Sequence, residues 1–393
     1  MTEGPELLRL PADLRKDRER AVVLQPATMA AKKKHSRPHP APGASDGTSA
    51  AEPRRGQHLE NADKKPTSTA RAGTIALIGR PNVGKSTLLN ALLGERIAIT
   101  SRHAQTTRDR IAGILTEEGI QYVFLDTPGL HTARHKLGHR MNQVAQAAAA
   151  ECDVAVFMTE PELRQTPEGP AIAPTVREDD RAILAAIPDK TPIVLLLNKI
   201  DRVKQKQLLF PLLEAYGKER DVAAIVPVSA LKGEGRARIL AEVGKLLPEG
   251  PPLYDEEELS DKPVRFFVGE FVREQILVRT RQEVPHGVAV TVESFDEGAK
   301  LVRIAVTVHV AKESHKGILI GDGGKMLREI GTSARKRAEG LIGRKVHLET
   351  FVRATPNWFD DAARLIDMGY SDEAPAKRKR AGRTRSRSSR SLA

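Results

Sequence analysis

Gly79-Arg80-Pro81-Asn82-Val83-Gly84-Lys85-Ser86 fits G-x-x-x-x-G-K-[ST], a spacing whose chemistry is the holding of phosphate groups. Its glycines let backbone N–H groups close around phosphate oxygens. Lys85 can reach a β- and a γ-phosphate, and the Ser86 hydroxyl can hold Mg²⁺. An apolar run from Thr74 to Ile78 precedes the loop, and Thr87-Leu88-Leu89-Asn90-Ala91-Leu92-Leu93 follows it. Strand, tight loop and helix is the setting that the motif requires, and the helix start adds the positive end of its dipole.

Asp126-Thr127-Pro128-Gly129 follows a second apolar run, Tyr122 to Leu125. A carboxylate at a strand end can complete a Mg²⁺ shell, and the Gly129 N–H can meet a γ-phosphate. D-x-x-G is a weak signal alone and a strong one behind a phosphate loop. Asn198-Lys199-Ile200-Asp201 follows a third run, Ile193 to Leu197. The Asp201 carboxylate can accept two hydrogen bonds from guanine, at N1–H and the exocyclic amine. Adenine would leave that charged acceptor against a lone pair, at a cost of several kcal/mol, roughly. Ser229-Ala230-Leu231, after Ala224–Val228, suits a segment that buttresses the base through backbone groups.

Together these segments read as a GTPase, with Lys85, Thr107 and Gly129 as its catalytic candidates. The first switch should lie between Gly94 and Tyr122, where Gln105-Thr106-Thr107-Arg108-Asp109 occurs. One threonine should join Ser86 and Asp126 at Mg²⁺: Thr107 is the first choice and Thr106 the second. Leu130 stands where a glutamine would orient the attacking water, so help must come from elsewhere. Asn82 suggests K⁺ against the phosphates as the source of that charge.

These motifs, with S-R-H-A-Q-T-T-R-D-R-I over 101–111 and S-A-L-K-G-E-G over 229–235, make the chain resemble the Era family of bacterial GTPases. The likeness covers roughly residues 73 to 368, running through Tyr254–Pro263, which is similar to the family's interdomain linker, and on from Arg265-Phe266-Phe267-Val268. The resemblance implies an α/β phosphate-loop domain with a mostly parallel sheet and helices on both faces, then an α+β type II KH domain. It also implies a GTP-dependent factor in small ribosomal subunit assembly, bound near the 3′ end of the small-subunit rRNA. A monomer and peripheral contact with an anionic membrane surface are expected on the same ground.

The second half supports that reading on its own residues. Residues 264–280 pattern as an amphipathic helix, and Val288–Phe295 and Leu301–Val310 alternate as strands joined at Asp296-Glu297-Gly298. Gly321-Asp322-Gly323-Gly324 fits the G-x-x-G loop that clamps a single-stranded backbone. Ile318 and Ile320 would floor the bases, while Lys316, Lys325, Arg328, Arg335, Lys336 and Arg337 would supply positive charge. Asp322 places an acid inside the clamp. Arg344–Val352 reads as a third strand and Asn357–Asp367 as a closing helix, with Trp358 read as core-edge rather than base-stacking.

The expected boundaries are a disordered extension over 1–71, the GTPase domain over 72–248, a linker over 249–263, the KH domain over 264–370 and a basic tail over 371–393. With 393 residues and a formal net charge of +12, the chain suits a polyanion partner. Cys152 is the only cysteine, so no intramolecular disulfide forms. No apolar run reaches about 18 residues, and no secretory h-region opens the chain, so a cytoplasmic protein is expected. Residues 160–181 read as a loop insertion without an assigned task. Two rival readings are an RNA binder that keeps GTP as a structural ligand, favoured by Leu130, and a tRNA-modifying GTPase relative, opposed by the 264–368 segment.

Overall fold

The computed structural model describes residues 7–9 and 70–370, apart from 102, 104, 167, 168, 281–283, 285 and 286. The tail from residue 371 and most of the 1–71 extension lie outside the described residues. Within that extension Leu7–Arg9 is a strand, β1, where disorder was expected.

The nucleotide-binding half is built on β2 (Arg71–Ile78), β3 (Ile111–Glu117), β4 (Ile120–Asp126), β5 (Val154–Thr159), β8 (Ile193–Leu197) and β9 (Ala224–Pro227). They form an eight-stranded sheet with β1 and β10 (Glu258–Pro263), in the order β1-β10-β3-β4-β2-β5-β8-β9. The stretch β4-β2-β5-β8-β9 is parallel, and β3 returns antiparallel on β4. Parallel strands need covering on both faces. Ala76 and Ile78 join one core with Ala148 and Ala149 of α2 (Lys136–Glu151), Ile183 and Leu184 of α3 (Glu178–Ala186), and Leu212 and Tyr216 of α4 (Phe210–Glu219). The opposite face receives α1 (Lys85–Leu93), whose Leu89 and Leu93 close on Gly113, and α5 (Arg236–Leu246), whose Leu240 carbonyl accepts from Tyr122.

The stretch expected as a linker carries β10, which pairs with β3 and with β1. Residues 160–181 hold a small antiparallel hairpin, β6 (Leu163–Thr166) and β7 (Gly169–Ile172).

The C-terminal half runs α6 (Val264–Arg279), β11 (Val288–Glu297), β12 (Leu301–Val310), α7 (Glu313–Ile320), α8 (Lys325–Ile342) and β13 (Lys345–Ala354). β11 and β12 are antiparallel, and β12 and β13 parallel. This is the expected α+β arrangement, with two local differences. A bulge between Val292 and Ser294 lengthens β11 through Glu297, so the turn falls at 298–300. The closing helix breaks at Asp361, which caps α9 (Ala362–Asp367) by accepting from Ala363 and Arg364 N–H. Trp358 is fully buried and donates from Nε1 to Gly287 O at 3.1 Å, in a cluster with Leu137 and Met141 of α2.

Candidate nucleotide and RNA sites

The phosphate loop is shaped by three residues in left-handed backbone, Gly79 aside: Asn82 (φ 62), Gly84 (φ 107) and, across from them, Lys199 (φ 62). A side chain on Gly84 would meet Asn198 Nδ2 at 2.4 Å, so glycine there serves both conformation and space. α1 starts at Lys85 with no acid in its first turn, leaving its N-terminus open to an anion. Lys85 Nζ donates to Gly79 O at 2.9 Å and to Arg80 O at 3.0 Å. Burial pulls its pKa down to about 8, an effect that Asp126 partly offsets.

Three expected metal ligands from three elements converge. Ser86 Oγ donates to Asp126 Oδ2 at 2.7 Å, Thr107 Oγ1 donates to the same oxygen at 2.9 Å, and the two hydroxyls lie 2.9 Å apart. Burial pushes the Asp126 carboxyl up, against the stabilising bonds from Ser86 and Thr107. Thr106 does not join them. Its carbonyl instead accepts from Arg273 of α6. Lys85, Thr107 and Gly129 line one pocket with Pro81, Asn82, Gly84, Ser86 and Thr87. Gly129 lies so close beneath the loop that a Cβ would be 2.6 Å from Pro81 N. Thr127 also lines the pocket, and its hydroxyl donates to Leu77 O at 2.7 Å. Leu130 is partly buried against the sheet core.

The base-reading candidates form a second group behind the loop. Asn198 donates to Val83 O at 2.7 Å and accepts from Ala230 N at 2.9 Å. Lys199 Nζ donates to Asn82 O at 2.7 Å, and Ser229 Oγ donates to Asp201 Oδ1 at 2.6 Å. Leu231 is 75% exposed. Asn198 and Lys199 are therefore structural ties between loop and base segment, beyond what motif order alone indicates.

In the second half Gly321 (φ 69), Gly323 (φ 55) and Gly324 (φ 77) carry the turn between α7 and α8. Asp322, Lys325 and Arg328 are exposed, Ile318 is half exposed, and Ile320 is partly buried on α7. Lys316 pairs with Glu313 at 3.2 Å. Arg337 leaves the expected basic face: it pairs with Glu274 and lies 4.1 Å over the Phe271 ring. The sequence also missed the contact between the halves. Arg108, one residue beyond Thr107, is 6% exposed, donates to Val288 O and lies 5.5 Å over the Trp358 ring. Asp109 pairs with Lys262 at 3.0 Å, and Arg110 with Asp261 at 3.1 Å. No local pattern marks such pairs, whose partners are separated by 150 residues or more.

A braced phosphate loop with converging Mg²⁺-type donors, followed by a glycine-rich G-x-x-G turn on a three-stranded α+β unit, defines a phosphate-loop GTPase carrying a KH domain. Family models agree: "50S ribosome-binding GTPase" matches residues 74–199, and "KH domain" matches 283–359. The curated GTPase Era of Syntrophus aciditrophicus (strain SB) is 41% identical over 305 residues, covering 77% of this chain and 96% of that relative. The crystal structure of a point variant of Aquifex aeolicus Era bound to GDP.AlF4- superposes with a TM-score of 0.71 at 35% identity, over 77% of this chain and 99% of the other. The crystal structure of Era in complex with MgGDPNP and nucleotides 1506–1542 of 16S ribosomal RNA gives the same score, identity and coverage. The chain belongs to the Era family of GTPases.

Proposed function

We propose that this GTPase binds GTP with Mg²⁺ on the 79–86 loop, hydrolyses it, and uses its KH half to hold single-stranded small-subunit rRNA near the 3′ end during subunit assembly. The observation that carries the reading is the meeting of Ser86, Thr107 and Asp126 within 2.9 Å of one another in a chain that also presents a KH clamp. Support comes from the Era structure that holds MgGDPNP and a 16S rRNA segment.

The donor set fits Mg²⁺. Asp126 Oδ1 is buried with no hydrogen-bond partner among the described residues, and hard oxygens are what the ion takes. Ser86 and Thr107 would hold it, with Asp126 behind them; bound, it neutralises charge on the β- and γ-phosphates. Lys85 would exchange its bonds to Gly79 and Arg80 carbonyls for phosphate oxygens, and Gly129 N–H would meet the γ-phosphate. Asp201, oriented by Ser229, would read guanine, with Ala230 and Leu231 beside the base. Leu130, turned to the core, orients no water, so K⁺ at Asn82 would supply the missing charge.

The switch stretch has both sites in its grip. Thr107 serves the metal cluster while its neighbours Thr106 and Arg108 are held by the KH half, so a change at the γ-phosphate reaches the RNA domain through adjacent residues. At the clamp, Lys316, Lys325 and Arg328 would meet phosphates around Gly321–Gly324, and Ile318 and Ile320 the bases. Multiple-turnover phosphate release, compared in K⁺ and Na⁺ at equal ionic strength, tests the reaction. Continuous release, faster in K⁺, is expected. Release limited to one equivalent would reduce GTP to a structural ligand, and equal rates in the two salts would remove the K⁺ role.

A further inference from the structure

The 160–181 stretch has no task in the reading above, yet it leads to the phosphate loop. Glu162 closes its hairpin by pairing with Arg164 and Arg177, both at 3.1 Å, and the chain then enters α3. Asp180, in the first turn of α3, is 0% exposed. Its Oδ1 accepts from Arg80 Nε at 2.7 Å, and its Oδ2 accepts from Thr159 Oγ1 and Tyr216 OH, both at 2.7 Å. Both oxygens of this buried carboxylate are filled, and its cationic partner is the second residue of the phosphate loop.

We propose that Asp180 is a positioning residue for nucleotide binding: it fixes Arg80, and through Arg80 the loop backbone that receives the phosphates. The proposal rests on the GTP-site reading above. Arg80 does not line the phosphate pocket; its side chain points to the brace, while its carbonyl accepts from Lys85 Nζ at 3.0 Å. Two residues further on, the Asn82 carbonyl is held by Lys199, which pairs with Glu160 at 2.6 Å. Thr159 and Glu160, at the end of β5, thus feed two arms that grip the loop on either side of Pro81, and Gly129 closes beneath it. A loop held in its binding shape loses less freedom when the nucleotide arrives. The brace touches no reacting atom, so its loss should weaken binding and leave the chemical step alone.

The test uses the full chain, with dissociation constants for fluorescently labelled GDP and steady-state KM and kcat for GTP. Asp180→Asn and Arg80→Met should each weaken binding and raise KM about tenfold, or about 1.4 kcal/mol. The double variant should be no worse than either single one, because one pair is removed in all three. The value of kcat should stay within about twofold, and affinity for rRNA should match the wild type. Unchanged nucleotide affinity in Arg80→Met, additive losses in the double variant, or a fall in kcat at constant KM would overturn the proposal. If Asp180→Asn does not fold, Arg80→Met and Arg80→Lys decide, the lysine variant recovering part of the affinity. Wild-type protein that fails to bind labelled GDP would overturn the GTP-site reading itself, a result independent of every variant.

Discussion

Gly79–Ser86 and Gly321–Gly324 are both glycine-rich turns that feed a helix, at Lys85 and at Lys325. Their surroundings are opposite. A Cβ on Gly79 would lie 2.3 Å from Met158 O, and one on Gly84 would lie 2.4 Å from Asn198 Nδ2. At Gly323 and Gly324 nothing lies within 4 Å, and only Gly321 is crowded, by Met326 at 2.7 Å. The first loop is enclosed, tied by Asn198 and Lys199 to the segment after β8 and by Asp180 to α3. The second stands in solvent, so a nucleic acid backbone can come close to it. Glycine in the phosphate loop answers to space and conformation together; at Gly323 and Gly324 it answers to conformation alone.

The sharpest way to break this contrast is the same substitution in both loops. Gly84→Ala combines left-handed strain with a clash against a buried side chain, together about 3 kcal/mol, so nucleotide affinity should fall about a hundredfold. Gly323→Ala carries strain of about 1 kcal/mol without a clash, and RNA affinity should fall only a few-fold. Equal losses, by titration of labelled GDP and labelled rRNA, would mean that enclosure does not separate the two loops.

Asp201→Asn should come next in size. The amide oxygen can still accept from N1–H, but its NH₂ then faces the exocyclic amine of guanine, where xanthine offers a carbonyl, and preference should move toward xanthine by tens-fold, for about 2 kcal/mol. Competition between GTP and XTP measures it, and retained preference for GTP would take Asp201 out of base reading. At the clamp, Gly323→Asp should weaken single-stranded rRNA binding about tenfold by repelling phosphates, without changing GDP affinity, and Asp322→Lys should strengthen it. If neither alters RNA affinity, Gly321–Gly324 is not the clamp.

The smallest effect concerns what enclosure costs. Lys85 has a folded pKa of about 8 against an ordinary 10.5, so between these values the unfolded chain binds more protons. Stability then rises with pH across that window, and below about pH 8 the full cost of the buried charge is present. Melting of the nucleotide-free protein, relative to Lys85→Met, should therefore rise by a few degrees, roughly, from pH 8 to 10.5. A flat difference would place Lys85 in a wetter site.

The two loops also differ in what could be read ahead of the structure. The phosphate loop was legible residue by residue, because each motif position acts on local backbone and the order of four motifs fixes the topology. The clamp's place between helices was legible too. Three things were not. Asp180 sits in the acidic run Glu178-Asp179-Asp180, and only its tertiary partner Arg80, a hundred residues earlier, distinguishes it from its neighbours. Arg337 has the right charge on the right helix, but helical phase turns it onto Phe271 and Glu274. β10 has charged residues and a proline, Asp261-Lys262-Pro263, which read as linker; its strand geometry comes from pairing with β3 and β1 at a sheet edge.

The proposed function joins, in one chain, a GTP site and a hold on the 3′ end of small-subunit rRNA. Crosslinking the full chain to RNA in its own cells, with sequencing of the bound fragments, tests it most directly. Fragments concentrated at the 3′ end of the small-subunit rRNA, and lost in Gly323→Asp, are expected. Fragments concentrated on the large-subunit rRNA, or spread evenly along all RNA, would contradict it.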